Sequence, residues 1–373
     1  MQSSSKQPCS AGPNLRIIVA VKRWEHHTAS GGYDSLARAL NAEIVHRPTN
    51  RSILRRIAGF VWRNTSHPKP YLLDYRYEDW LAEIHVLWRS WYRSPDVVHV
   101  LYGDEQLDLL LRRRRLLPCP LIATFHLPPY RVRERFEKIQ KHLLSGIDLA
   151  VVVGMNQVPD FARWLGPDRV IYVPHGIDTD RFRPGERLLS QETVRLLTVG
   201  HHMRDWESLD AIIARCSARN MPVRFDVVSS EHRLIQSANL PGVRFYNQIP
   251  EEQLIQLYRG ADALLLPLHE ATANNSVLEA LACGTPVIST SVGGIPDYVD
   301  TSCGWLFEKS EIDRVVNLIG EICCCREMVR SRRSAARNKA LTFSWKRIAA
   351  KMNAVYDAAV AHRYSVADKP ECA

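Results

Sequence analysis

The sequence predicts an α/β protein built as two successive units, each a parallel β-sheet covered by helices on both faces. Three observations lead there. Short apolar runs end in turn chemistry, helical patterns lie between them, and a Pro- and Gly-containing break near the middle is followed by a restart of the alternation. The length of 373 residues agrees, because that is more chain than one ordinary core organises.

In the first half, residues 15–21 (LRIIVAV), 96–102 (DVVHVLY), 120–125 (PLIATF) and 148–154 (DLAVVVG) read as buried parallel strands, with 170–174 (VIYVP) as a further one. Helical patterns cover 33–40, 133–144 and 158–165. The break is 174–186 (PHGIDTDRFRPGE), the best linker in the chain. Beyond it, strands are expected at 194–200, 223–228, 243–246, 261–267 and 285–290, with helices at 209–219, 251–259, 276–283 and 312–325. A long terminal helix is expected over 343–362, with Ser344 placed to cap it just before Trp345. The expected division is a disordered polar tail at 1–14, a first domain at 15–184, a second at 185–344, a closing helix at 345–365 and a tail at 366–373.

Composition narrows the class. Hydrophobic content of 46% and charged content of 24% are those of a soluble globular protein. No run approaches the length of a membrane span, and the Ser-rich start lacks the apolar core of a signal peptide. The nine cysteines show no zinc-site spacing, and Cys323, Cys324 and Cys325, consecutive on a helix, point in different directions. They read as idle or buried thiols in a reducing cytosol. The net charge of +9 sits entirely in the first half: residues 1–184 hold 27 Lys and Arg against 18 Asp and Glu, and residues 185–373 hold 22 of each. A basic half suggests an anionic partner.

The sharpest segment is 264–286, LLLPLHEATANNSVLEALACGTP. A buried strand ends at Pro267, a polar loop follows, and a helix starts near Asn275 or Ser276. The first turn of a helix presents backbone N–H groups and the positive end of the dipole, so it can hold a phosphate. Asn274, Asn275 and Ser276 add side-chain donors and caps, Val277 completes the turn, and Glu279 can accept hydrogen bonds from a ribose diol. An ordinary capped helix with Glu279 facing solvent would have the same sequence. Three weaker signals accompany it. Gly31-Gly32 after the first strand lets backbone approach a ligand, although it is not GxGxxG and gives no support to a nicotinamide or flavin site. Arg204, after the turn at Gly200, could neutralise a phosphate, whereas the adjacent His201 and His202 make a poor metal site. His126 follows an apolar strand and so sits at a mouth, where it could donate to a sugar hydroxyl, act in acid–base chemistry, or be structural.

In combination and in order, these segments resemble family 4 of the GT-B glycosyltransferases: the Gly-Gly loop, the TFH strand end at His126, the linker PHGIDTDRF, the VG turn, LEALACGTPVIST, SVGGIPDYV and the closing FSW helix. The resemblance implies two Rossmann-like domains facing a cleft, acceptor on the first and nucleotide sugar on the second, with the terminal helix crossing back to the first domain. It implies a retaining, metal-independent hexosyltransferase with no cofactor beyond the nucleotide-sugar co-substrate, working in polysaccharide or glycoconjugate biosynthesis. By motif, Glu279 would hold the ribose, and Asn275 and Ser276 would hold the diphosphate, with Gly31 and Gly32 approaching from the other domain. His126, with Glu270 and Asn274, would orient the sugar. Asp178-Thr179-Asp180 spells the metal motif of another transferase fold and reads as chance in a linker.

The chain departs from the family pattern at two places. The usual glutamate pair is separated by seven residues, but Glu270 and Glu279 are separated by eight, and Ala271 occupies the usual position. Either the loop bulges and Glu270 still reaches the sugar, or Asn274 and nearby backbone take that role. The usual arginine and lysine after the Gly200 turn are His201 and Trp206, and Arg204 is the candidate replacement. The basic first half, and residues 51–63 (RSILRRIAGFVWR) in particular, suit an anionic membrane surface and a glycan or lipid-linked acceptor. The expected location is the cytoplasm, with the chain peripheral at the inner face of the membrane. Residues 112–115 (RRRR) read as a solvated helix end. Nucleic acid is not expected, because aromatic residues are not interleaved for stacking. Two rivals stay open: a nucleotide-sugar epimerase of the same fold, and a non-catalytic glycan- or membrane-binding partner of a transferase.

Overall fold

The structure is a computed structural model, and it describes residues 15–22, 32–48, 75–136, 141–185, 193–230 and 239–367. Gly31, residues 51–63 and the tail at 1–14 lie outside the described residues.

The first sheet has strands β1 (Ile17–Val21), β2 (Glu43–His46), β3 (Val97–Val100), β4 (Leu121–Phe125), β5 (Leu149–Val152) and β6 (Val170–Tyr172), in the order β2-β1-β3-β4-β5-β6. The second has β7 (Val194–Val199), β8 (Val223–Val228), β9 (Val243–Tyr246), β10 (Ala263–Leu266), β11 (Val287–Thr290) and β12 (Gly304–Phe307), in the order β12-β11-β10-β7-β8-β9. Every pairing within the two sheets is parallel. Two Rossmann-like domains are therefore present, as expected. The strand order of each sheet reverses once, between β1 and β3 in the first and between β7 and β10 in the second. Crevices at such reversals are where open α/β sheets bind ligands.

The runs that read as continuous apolar strands are the buried central ones, with every residue of β1, β3, β4, β5, β10 and β11 buried. β2 and β12 were not expected. Each lies at one edge of its sheet: β2 (EIVH) is half polar, and β12 (GWLF) is apolar but only four residues long and opens on a glycine. Two long helices were also unforeseen. One is α2 (Tyr77–Arg93), which buries Ala82, Glu83, Val86 and Ser90 while exposing Trp88, Trp91 and Tyr92. Its inward Glu83 accepts N–H bonds from Asp108 and Leu110, and burial raises its pKa to about 8. The other is Glu327–Thr342, a mostly polar helix that buries only Val329, Ala336 and Ala340.

The arginine run at 112–115 is more than a solvated helix end. Arg112 pairs with Asp108, and Arg114 joins the Asp148 carboxylate to the carbonyls of Gly146, Leu117 and Cys119.

The segment read as a linker is packed. Phe182 and Ile177 are buried in the second domain's core. Ile177 runs parallel to Ser344, with its N–H donating to the Phe343 carbonyl at 2.9 Å and its carbonyl accepting from Trp345 at 3.2 Å. The two crossings between domains therefore lie side by side. Gly176 makes this possible, because a Cβ there would lie 2.2 Å from the Trp345 ring. The terminal helix, Trp345–Ala367, crosses to the first domain as expected. It buries Trp345, Ile348, Met352 and Tyr356 against Val19, Leu36 and Val97. The Tyr356 hydroxyl lies 2.7 Å from Nδ1 of the buried His99.

Candidate active site

The carboxyl ends of both sheets face one cavity of about 1020 Å³, and both reversal points open into it. One wall comes from the first domain and carries Tyr33, Tyr102, His126 and His175. The other comes from the loops after β7 and β10 and from the start of helix α9, Asn275–Ala282. Those two loops are tied together: the His269 N–H donates to the Met203 carbonyl at 3.0 Å, and the Asp205 N–H donates to the Pro267 carbonyl at 3.1 Å. Asp205 also caps the helix that follows, accepting from the Ser208 N–H.

Helix α9 begins where the sequence placed it. Asn274 is its N-cap, in extended conformation, and its side chain accepts the Val277 N–H at 3.3 Å. Asn274, Asn275 and Ser276 line the cavity. Val277 is fully buried and its N–H is directed to the cap, so it supports the turn from behind. Arg204 also reaches the cavity, anchored from beneath. Its Nε and Nη2 donate to the Val199 carbonyl, its Nη1 to the His202 carbonyl, and its Nη2 to Ser276 Oγ at 3.2 Å. Burial lowers its pKa to about 10, so it remains a cation at neutral pH. A buried positive charge thus lies under the positive end of a helix dipole, an arrangement suited to an anion.

Glu279 does not line the cavity. It is 6% exposed, one turn further in, and Oε2 accepts the Tyr258 hydroxyl at 2.8 Å. Burial raises its pKa to about 7, opposed by the Tyr258 hydrogen bond and by the charge of Arg204. Glu270 does line the cavity, with Oε1 accepting the N–H of Ala271. Ala271, at the usual spacing from Glu279, is 8% exposed and packs into the second domain's core. The extra residue of this loop therefore leaves Glu270 in the cavity wall. The loop lies directly on Gly293 and Gly294: a Cβ on Gly293 would fall 1.8 Å from the Ala271 carbonyl oxygen, and one on Gly294 would fall 2.1 Å from that of Thr272.

His126 stands opposite. Its N–H donates to Asp104 Oδ2 at 2.6 Å and its Nε2 lies 2.8 Å from the Leu101 carbonyl. A carbonyl only accepts, so Nε2 carries a proton. Tyr33 meets the ring edge-on and Tyr102 lies tilted against it, at centroid distances of 4.7 and 4.9 Å. Gly32 is not in the wall; it precedes Tyr33, which is.

Several contributors went unread in the sequence. His175 was treated as linker, yet it lines the cavity and donates its N–H to the Tyr298 hydroxyl, which in turn donates to the Val153 carbonyl. Asp297 accepts the Met155 N–H at 2.7 Å across the same junction. The SVGGIPDYV motif therefore fastens the two domains beside the cavity. Tyr258 had no signal beyond its place on the apolar face of its helix, with Leu254 and Ile255. Among the described residues, no group of three or more His, Cys, Asp or Glu is placed to hold a metal ion.

Two family descriptions match the chain: Glycosyltransferase Family 4 over residues 33–181, and Glycosyl transferases group 1 over residues 191–323. Among curated relatives, a D-inositol 3-phosphate glycosyltransferase of Geodermatophilus obscurus is 30% identical over 313 residues, covering 71% of this chain and 66% of that protein, just under two thirds of its length. An MMP alpha-(1->4)-mannosyltransferase of Mycolicibacterium hassiacum is 25% identical, covering 71% of each. Among solved structures, sucrose-phosphate synthase from Thermosynechococcus elongatus shares the fold with a TM-score of 0.70 and 18% identity, over 93% of this chain and all of that one. Anabaena HepE, solved with UDP and glucose, shares it at 0.66 and 13%, over 92% and 100%. With the two sheets and the crossing helix in their expected places, the chain belongs to family 4 of the GT-B glycosyltransferases.

Proposed function

We propose that this chain is a retaining glycosyltransferase that moves a sugar from a nucleotide donor to a glycan or lipid-linked acceptor in polysaccharide or glycoconjugate assembly. The observation that carries the reading is the start of helix α9, with Asn274, Asn275 and Ser276 facing a cavity between the domains and the Arg204 cation beneath them. On this reading the donor diphosphate sits at that helix start. The dipole and Arg204 stabilise the charge that grows on the diphosphate as its bond to the sugar breaks, the work a metal ion would otherwise do. Glu279 takes the ribose diol, after exchanging its bond to Tyr258. His126 and Glu270, on opposite walls, orient the sugar, and the acceptor enters along the Tyr33 and Tyr102 side. The names of the relatives, which act on an inositol phosphate and as a mannosyltransferase, support the class. The UDP and glucose bound in Anabaena HepE support a nucleotide-sugar donor.

Calorimetry with UDP, GDP and ADP tests the reading. One nucleotide should bind without added metal, and Glu279→Ala should weaken it at least about tenfold, the loss of a charge-assisted hydrogen-bond pair. Absence of binding by all three to folded protein would favour a non-catalytic glycan- or membrane-binding role. The membrane partner rests on the basic first half of the chain and on residues 51–63, outside the described structure. Sedimentation with vesicles should recover more protein on anionic than on neutral lipid, and equal recovery would remove the membrane from the account. No helix among the described residues is long and apolar enough to cross a membrane.

A further inference from the structure

We propose that Thr272 is a positioning residue that sets His126 from across the cleft, so that the donor loop and the sugar-facing histidine are held in one register. The proposal rests on the reading of the cleft as a sugar-transfer site. Asp104, which accepts the His126 N–H, and Leu101, Tyr33 and Tyr102, which meet its ring, belong to its own domain. Its carbonyl accepts the hydroxyl of Thr272, which belongs to the other domain.

Thr272 is suited to this by its surroundings. It lines the cavity wall but is only 5% exposed, so water competes weakly for this bond. Its own carbonyl lies where a Cβ on Gly294 would be, and 3.4 Å from the Cβ position of Gly154 in the first domain. The Ala271 carbonyl just before it accepts the Gly294 N–H at 2.9 Å. The main chain at Thr272 is thus seated between two glycines, one from each domain, and its hydroxyl reaches a fixed target. Thr272 also lies in the loop that carries one residue more than the usual glutamate spacing. That loop puts Glu270 into the cavity wall and Thr272 onto the opposite domain at once. A displacement of His126 by even a fraction of an ångström would misplace the ring against a bound sugar. Asp104 completes the device from the near side: its Oδ2 also lies 3.3 Å from the Leu127 N–H, so both amides after β4 point at one carboxylate.

The test compares Thr272→Val, which keeps the shape and removes the hydroxyl, with Thr272→Ser, which keeps the hydroxyl. Two readouts are taken on the full chain. Hydrogen exchange of the His126 and Met155 amides should be about tenfold faster in T272V, the loss of one buried hydrogen bond, and close to wild type in T272S. With the donor that supports turnover, T272V should lose about tenfold in kcat with the donor KM nearly unchanged, and T272S should recover most of it. Unchanged exchange in T272V, or equal loss of kcat in both variants, would overturn the proposal. If wild-type protein turns over no nucleotide sugar, the transferase reading fails, and the exchange comparison still decides the role of Thr272.

Discussion

Glu279 is the residue at which burial and chemistry pull against each other. A carboxylate that is to hold a ribose is 6% exposed, and its pKa is raised to about 7. Because the folded value lies above the ordinary one of 4.5, protons bind the folded state more tightly. The stabilisation associated with that proton is fully present below about pH 4.5 and is lost as pH rises through about 7. Glu279→Gln, which stays neutral, should therefore gain on wild type between pH 5 and pH 8, by about 2–3 kcal/mol at most. Denaturant melts at the two pH values measure this, and a variant-minus-wild-type difference that does not change with pH would refute it. At this scale the sequence was partly legible. Asn274, Asn275, Ser276 and His126, all in the cavity wall, were legible because a helix start after a buried strand, or a histidine at a strand end, carries a local pattern, whereas Glu270 entered only through the glutamate spacing of the family resemblance. Thr272, Tyr258 and Asp104 were not found, because each acts through a partner far along the chain.

The elements divide along the same line. Buried central strands announce themselves as apolar runs, and their ends were read to within a few residues. β2 was silent because its run EIVH is half polar, and β12 because GWLF is short and opens on a glycine. The mostly polar helix Glu327–Thr342 was silent because it shows no apolar stripe: the small Ala336 and Ala340 enter the core, and Arg337 ties it down through the Phe182, Ala282 and Thr179 carbonyls. The SVGGIPDYV motif was legible as a family signature but not as a mechanical part. Its glycines admit the loop from Glu270 to Thr272, and Asp297 and Tyr298 fasten the first domain. Gly294→Ala should displace that loop, because the added carbon would lie 2.1 Å from the Thr272 carbonyl oxygen. The expected destabilisation is about 1–3 kcal/mol, the usual penalty of overpacking, with a weaker nucleotide site. Chemical denaturation and calorimetry on the same variant check it; a protein of wild-type stability and affinity would show that the loop has slack there.

In the whole molecule, two sheets present their carboxyl ends to one cavity, and the linker and terminal helix cross between the domains side by side. The two-domain layout was legible because the alternation of strands and helices stops and restarts. The way the domains are clamped was not, since Ile177 with Ser344, Tyr298 with Val153 and Thr272 with His126 are each pairs from distant stretches of sequence. On the proposed function, this cavity breaks the bond between a sugar and a nucleoside diphosphate held at the start of helix α9. The direct measurement is release of nucleoside diphosphate from UDP-, GDP- and ADP-sugars, with wild-type protein and with Glu279→Ala, in the presence of a chelator. One donor class should be turned over without metal and the variant should lose that turnover by about a hundredfold or more, the scale at which removal of a charged binding partner acts. A folded protein that turns over none of the three, or a variant as active as wild type, would contradict it.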